Sequence, residues 1–376
     1  MSALYIHIPF CKQACHYCDF HFSTNTSLKS KLVDAIGQEI LFQQDYLKGK
    51  HLNSIYFGGG TPSLLSQKEL EKTFEQISKI YTWDSHTEIT LEANPDDLNL
   101  ENIQIFKNLG INRLSIGIQS FEENHLQFLH RAHNSQEAEN CVHLAQNEGI
   151  SNISIDLIYA IPASSHLIWK KDLEKAIALG VSHISAYSLT IEPKTVFGSR
   201  LQKGFMPPID DGFAAEQFQI LMDTLQSASF EHYEISNFAK NGAYSRHNSN
   251  YWKDGEYLGI GPSAHSYNHI SRQYNVSNNT KYIESIEKQV IPFEIEELSW
   301  QDRLNDYLLT GLRTQWGCTW ERVLQIAPHQ MFETKQKNIF EKYVSQGLLE
   351  NSPIGFKLTS KGKFFADQIA SDLFLV

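Results

Sequence analysis

Basic residues are the minority charge in this chain: 32 Lys and Arg stand against 43 Asp and Glu, a formal charge of −11 over 376 residues. A general nucleic-acid binder needs a basic face, and neither a basic run nor a zinc-finger spacing supplies one. No stretch approaches ~20 uninterrupted apolar residues, so no membrane-spanning helix is expected. The N-terminus lacks a basic segment followed by an apolar one, and a signal peptide is not expected either. Cysteine is scarce: there are five, an odd number with three clustered, which is no disulfide framework and points to a reducing, cytoplasmic setting. Internal repeats and low-complexity tracts are also missing. The 41% hydrophobic residues suffice for a sizeable core, and the length suggests one large domain with a smaller one.

The three clustered cysteines are the most informative feature. Cys11, Cys15 and Cys18 follow the apolar run Leu4-Tyr5-Ile6-His7-Ile8-Pro9-Phe10 in the order C-x3-C-x2-C. Three thiolates on one tight loop can hold three corners of a cubic iron–sulfur cluster and leave the fourth iron open to a small ligand. Zinc is the alternative, with His7, His16 or His21 as a fourth ligand. Structural zinc sites usually draw a second ligand pair from further along the chain, whereas Cys141 and Cys318 are isolated and distant.

Up to about residue 190, short apolar runs alternate with amphipathic stretches. Strands are predicted at 4–8, 54–57, 88–93, 113–118, 153–158 and 183–189, and helices at 28–47, 67–81, 100–109, 136–148 and 167–179. Gly110 and Gly180 read as helix stops. This is the pattern of βαβ units and a parallel sheet: an α/β partial (β/α)6 barrel, with its site at the C-terminal edges of the strands. Residues 1–235 are assigned to this core, 236–290 to a linker region, and 291–376 to a small C-terminal domain. There, helix patterns followed by two short strands resemble a winged helix without a basic recognition helix.

Polar or glycine-rich features recur at the predicted strand ends. The second strand runs into Gly58-Gly59-Gly60-Thr61-Pro62, where bare backbone can approach a ligand. Neither a P-loop lysine nor the spaced Rossmann glycines are present. Glu92 ends the third strand, Gln119 ends the fourth, and Asp156 sits inside an apolar fifth. A buried carboxylate without a partner is costly, and several at one end of consecutive strands are best explained by one polar ligand.

Together, Tyr5-Ile6-His7-Ile8-Pro9-Phe10-Cys11, Gly58-Gly59-Gly60-Thr61-Pro62, Glu92-Ala93-Asn94-Pro95, Leu114–Phe121 and Asp156-Leu157-Ile158-Tyr159 resemble the radical S-adenosylmethionine (SAM) coproporphyrinogen-III oxidase family. More narrowly, they resemble its haem-chaperone branch. The resemblance implies a 4Fe-4S cluster on Cys11, Cys15 and Cys18, with SAM held at Tyr5, Tyr17, Gly59, Gly60, Thr61, Glu92, Gln119, Arg131 and Asp156. Arg131 would meet the cofactor's carboxylate, since guanidinium is a planar two-pronged donor. The family's oxidases carry a fourth cysteine two residues after the third; here that position is Phe20. The chaperone branch carries H-N-x-x-Y-W, present as His247-Asn248-Ser249-Asn250-Tyr251-Trp252. Haem is therefore implied as a ligand, with His247 the candidate residue, His265 a weaker one, and a haem-accepting protein as partner. No catalytic side chain is assigned, and an electron donor is implied only if SAM is cleaved. The rival functions are coproporphyrinogen oxidation and another radical SAM reaction.

Overall fold

The computed structural model describes residues 2–327 and 334–375. Strands and helices alternate as β1 (Ser2–Ile8), α1 (Lys29–Phe42), β2 (Ser54–Gly59), α2 (Gln67–Ser78), β3 (Glu88–Ala93), α3 (Leu100–Asn108), β4 (Arg113–Gln119), α4 (Glu123–Leu129), α5 (Ser135–Asn147), β5 (Ile153–Tyr159), α6 (Leu167–Ala178) and β6 (His183–Ser188). Every predicted strand is present to within two residues. Gly110 and Gly180 do end their helices, at φ +87° and +67°. The short helix α4 was not anticipated, because seven residues are too few to show a clear period.

β1 to β6 pair in parallel and in sequence order. Their side chains alternate between two faces, as the pleat requires. One face is apolar: Leu4, Ile6 and Ile8 of β1, Ile55 and Phe57 of β2, Leu114, Ile116 and Ile118 of β4, and their neighbours pack against Leu32, Phe74, Phe106, Val142 and Leu173 of the covering helices. The other face is polar along its whole length. It carries Tyr5 and His7, Ser54 and Tyr56, Glu88, Thr90 and Glu92, Arg113 and Ser115, Ser154 and Asp156, and His183 and Ser185, and hydrogen bonds join Tyr5 to His7, Tyr56 to Glu92, Ser115 to Asp156, and Ser154 to His183 and Ser185. A barrel interior lined this way is built to receive polar ligands rather than to fill itself with hydrocarbon.

The chain continues through α7 (Val196–Gln202), α8 (Asp211–Ser227), β7 (Glu231–Glu234), β8 (Asn237–Ala239), α9 (Arg246–Trp252), β9 (Glu256–Ile260), β10 (His265–Tyr267), β11 (Ser271–Asn275), α10 (Asn279–Glu287) and β12 (Phe293–Glu297). The expected linker, 236–290, is therefore corrected. β9 lies parallel to β1, with Leu258 opposite Leu4, and adds a seventh parallel strand. Antiparallel ribbons extend both edges, giving the order β12-β11-β10-β9-β1-β2-β3-β4-β5-β6-β8-β7. The physical reason is buried Glu39 of α1: Gly261 N and Asn275 Nδ2 donate to it at 2.8 and 2.7 Å, as does the Tyr282 hydroxyl, fastening this region to the barrel.

Towards the C-terminus, α11 (Trp300–Leu312), β13 (Cys318–Thr319), α12 (Trp320–Ile326), α13 (Thr334–Ser345), β14 (Leu349–Asn351), β15 (Gly355–Leu358) and α14 (Ala366–Asp372) surround a separate core that includes Leu304, Leu308, Leu312, Val323, Phe356 and Ile369. Its three-stranded antiparallel sheet runs β13-β15-β14.

Candidate radical SAM site

The cysteine loop begins where β1 ends and is held from several sides. Cys11 N donates to Ser23 O, and His16 N to Leu129 O. Lys12 pairs with Asp96 at 2.8 Å and also with Asp97. Gln13 Nε2 reaches His130 O at 2.9 Å, while the His130 ring bonds Ala14 O at 2.8 Å. The loop is thus clamped between the segment after β3 and the α4–α5 junction. Burial pushes the Cys11 thiol up and the Cys18 thiol to about 11, so these sulfurs favour the protonated form until cations arrive.

Among the described residues no three His, Cys, Asp or Glu side chains converge on one metal ion. Three partly buried thiols, with no histidine or carboxylate completing the set, do fit the three corners of a cluster. Two donors already face the sulfurs: Thr61 Oγ1 stands 3.5 Å from Cys11 Sγ, and Arg131 Nη1 3.2 Å from Cys15 Sγ.

The glycine turn explains itself sterically. A Cβ on Gly60 would lie 2.7 Å from Phe10 O, because the start of the cysteine loop runs directly over it. Gly59, at φ +107°, would drive a Cβ into the His7 ring at 2.4 Å. Its amide donates to Glu92 Oε2 at 3.0 Å, while Tyr56 OH donates to Oε1 at 2.7 Å. Desolvation still raises Glu92 to about 7 and Asp156 to about 6, with Ser115 3.4 Å from Asp156 Oδ2. Two neighbouring buried carboxyls with raised pKa values form a seat for a cation, which would restore both to the charged form.

Arg131 sits on the α4–α5 junction, half-buried, and reaches across to Asn94 Oδ1 at 2.5 Å, Gly117 O at 2.6 Å and Tyr17 OH at 3.4 Å. Its buried Nε has no partner. Gly117 is needed there, since a Cβ would meet Arg131 Nη2 at 3.2 Å. Gln119 lies at a bulge between β4 and β5 with φ +71°, its amide nitrogen 3.2 Å from the same Cβ position. The expected SAM residues thus gather at one end of the barrel around a cation seat and a guanidinium. Tyr56, Asn94 and Ser115 belong with them and were missed; the polar alternation along β2, β3 and β4 would have found them.

Residues 5–167 match the radical SAM superfamily. Over 377 residues the chain is 34% identical to the haem chaperone HemW of Bacillus subtilis, covering 98% of each protein. It is 39% identical over 270 residues to the haem chaperone HemW of Escherichia coli, covering 70% of this chain and 69% of that one. The chain belongs to the HemW family. A solved structure of coproporphyrinogen III oxidase (HemN) from Escherichia coli, a radical SAM enzyme, superposes with a TM-score of 0.86 at 19% identity, over 99% of this chain and 90% of that one, and shows the shared fold. Membership of a radical SAM family implies a 4Fe-4S cluster and SAM. Among the described residues no helix is long and apolar enough to cross a membrane.

His247 borders this gathering from below, with its ring 6.2 Å from that of Tyr5. It belongs to α9, which closes the opposite end of the barrel, where the strands begin. The backbone amides of Arg246 and His247 donate to Glu88, the first residue of β3. The His247 ring is 1% exposed, with Nδ1 2.9 Å from Ser54 Oγ and Nε2 2.8 Å from Tyr251 OH. Burial lowers it to about 3, so the imidazole is neutral, and it stacks on Tyr56 at 4.8 Å. Both nitrogens are taken, so this conformation leaves none for iron, against the expectation from the motif. His265 is exposed on β10.

Proposed function

We propose that the protein is a haem chaperone: it binds haem and passes it to an acceptor protein in the cytoplasm, with a 4Fe-4S cluster and exchangeable SAM resident in the barrel. The observation carrying this reading is full-length similarity to haem chaperones, combined with Phe20 where the family's oxidases have their fourth cysteine. Phe20 is 73% exposed on the cluster loop. A phenyl ring cannot ligate metal or move a proton, whereas an exposed apolar group beside the cluster suits contact with a flat apolar cargo or its acceptor.

In this reading Cys11, Cys15 and Cys18 would hold the cluster, which would supply an anchor for SAM. Glu92 and the Gly59–Thr61 backbone orient the ammonium end. Arg131 turns its unpartnered nitrogen towards the carboxylate, and Tyr5, Tyr17, Gln119 and Asp156 close the remaining wall. The protein's contribution is orientation and exclusion of water.

The test uses anaerobically reconstituted protein supplied separately with haem and with coproporphyrinogen, SAM and a reductant. Haem uptake followed by transfer to an apo-haemoprotein is expected, without protoporphyrinogen. Robust protoporphyrinogen formation, or no haem uptake at all, would overturn the reading.

A further inference from the structure

Outside the candidate SAM site, a cavity of about 300 Å³ lies between α4 and the loop that follows β5, at the same barrel end as the cysteines. His125, Phe128, Ile161, Pro162, Ala163 and Ile168 line it, with Asn124, Ser164 and Ser165 at its polar side. His125 contrasts with His247. It is half-buried, and its ring makes no hydrogen bond among the described residues. Burial lowers its pKa against the opposing pull of Glu122, so the imidazole that faces the cavity is neutral at physiological pH. A neutral imidazole with a free nitrogen is the commonest protein ligand of haem iron.

Two further observations mark the groove as built. The residue before Ile161 is held in an unfavourable conformation: Ala160 has φ +61° and is fixed there by its amide donating to the buried Gln217 Oε1 at 2.6 Å. Strain of this kind persists only where the surroundings impose it, commonly at ligand sites. The α4 wall also touches the cluster loop. The His16 ring bonds Phe128 O at 3.2 Å, while Ile161 and Phe128 share an apolar cluster with Tyr17.

We propose that this groove is the haem site of the protein, with His125 as an axial ligand and Phe128, Ile161 and Ile168 against the macrocycle. The proposal rests on the chaperone reading and names its cargo site. The cavity is at the small end of the range for small-molecule sites, so it grips part of the macrocycle and leaves the rest open. That suits a protein that must release its cargo. Contact through His16 and Tyr17 also lets the cluster loop shape one wall of the groove.

The experiment titrates ferric haem into anaerobically reconstituted wild type, His125→Ala, Ala163→Trp and the surface control His143→Ala, reading affinity and the visible spectrum. Cluster content and melting temperature confirm each fold. His125→Ala is expected to weaken binding on the order of 10- to 100-fold and to lose the histidine-ligated spectrum, with imidazole restoring it. Ala163→Trp fills the groove and is expected to weaken binding with the ligand intact, while His143→Ala matches wild type. If wild type binds haem and both groove variants bind it with unchanged affinity and spectrum, the site is wrong although the chaperone reading stands. If wild type binds no haem, the chaperone reading itself fails.

Discussion

The two ends of the barrel use the same residue types for opposite ends. Where the strands begin, Glu88, His247, Ser54 and Tyr251 are deeply buried and bonded to one another, and α9 seals them from water. Where the strands finish, Glu92, Asp156 and Arg131 are also withdrawn from water, but both carboxyls sit well above their usual range and Arg131 Nε is unpartnered. Among the described residues, buried atoms without a partner occur at both ends, Arg131 Nε at one and Ser249 Oγ and Trp252 Nε1 at the other, so what separates the ends is the pair of raised carboxyls beside the cysteine loop. Residue identity alone does not separate the two cases. H-N-x-x-Y-W looks as chemical as the cysteine loop, and here His247 has both ring nitrogens bonded while Ser249 Oγ and Trp252 Nε1 have no partner among the described residues.

The largest effect that tests this contrast is at the open end. Replacing Cys11, Cys15 and Cys18 together by alanine is expected to abolish iron and labile sulfide after anaerobic reconstitution, and SAM binding with them. Thermal stability should change far less, because the loop is fastened through Lys12, Gln13 and His16 as well as through its sulfurs. Retention of a full cluster by the triple variant would remove the site from this loop.

At the closed end the expected pattern reverses. His247→Ala opens a cavity under Tyr56 and leaves Ser54 and Tyr251 short of partners, a cost of about 4 kcal/mol. Denaturant unfolding should show that loss while cluster content and SAM affinity stay near wild type. A variant of wild-type stability with impaired haem binding would instead return His247 to the ligand set.

That reversal also locates what sequence reasoning could reach. The order of β1 to β6 was legible, since each strand pairs with its chain neighbour and the helices between carry a clear period. The cysteines were legible because spacing within one loop is itself geometry. β9 was not: five residues in a turn-rich stretch pair with β1, more than two hundred residues earlier, and nothing local signals that. The surroundings of His247 were hidden for the same reason, since its partners Ser54 and Glu88 come from distant strands. Tyr56, Asn94 and Ser115 were within reach, because every second residue of their strands is polar.

A smaller effect separates the ends by pH. Glu92 has its pKa raised from 4.5 to about 7 by burial. The ligand-free fold therefore favours its protonated form, and its contribution to stability falls as pH rises from about 4.5 to about 7. A cationic ligand binds the ionised form, so SAM affinity should rise across the same interval and level off above about 7. Glu92→Gln should flatten that profile and weaken binding by about 2 kcal/mol, roughly 30-fold. Calorimetric titration of reconstituted protein at several pH values measures both. A wild-type profile flat through pH 7 would show that Glu92 does not face the cation.

The smallest predicted effect is one hydrogen bond that tunes the open end without building it. Thr61 Oγ1 accepts from Asn94 Nδ2 at 3.2 Å and stands 3.5 Å from Cys11 Sγ, so its proton is directed at the sulfur. Thr61→Val keeps the branched shape and removes the donor, at a cost of about 1 kcal/mol or less. Hydrogen bonds to cluster sulfurs stabilise the reduced, more negative state, so their loss lowers the reduction potential. Redox titration should show a shift to more negative potential by a few tens of millivolts, on the scale of 59 mV per tenfold change for one electron. Cluster content and melting temperature should not move. An unchanged potential would mean that Thr61 serves the Gly58–Gly60 turn alone, and that electrostatic tuning of the cluster falls to Arg131 beside Cys15.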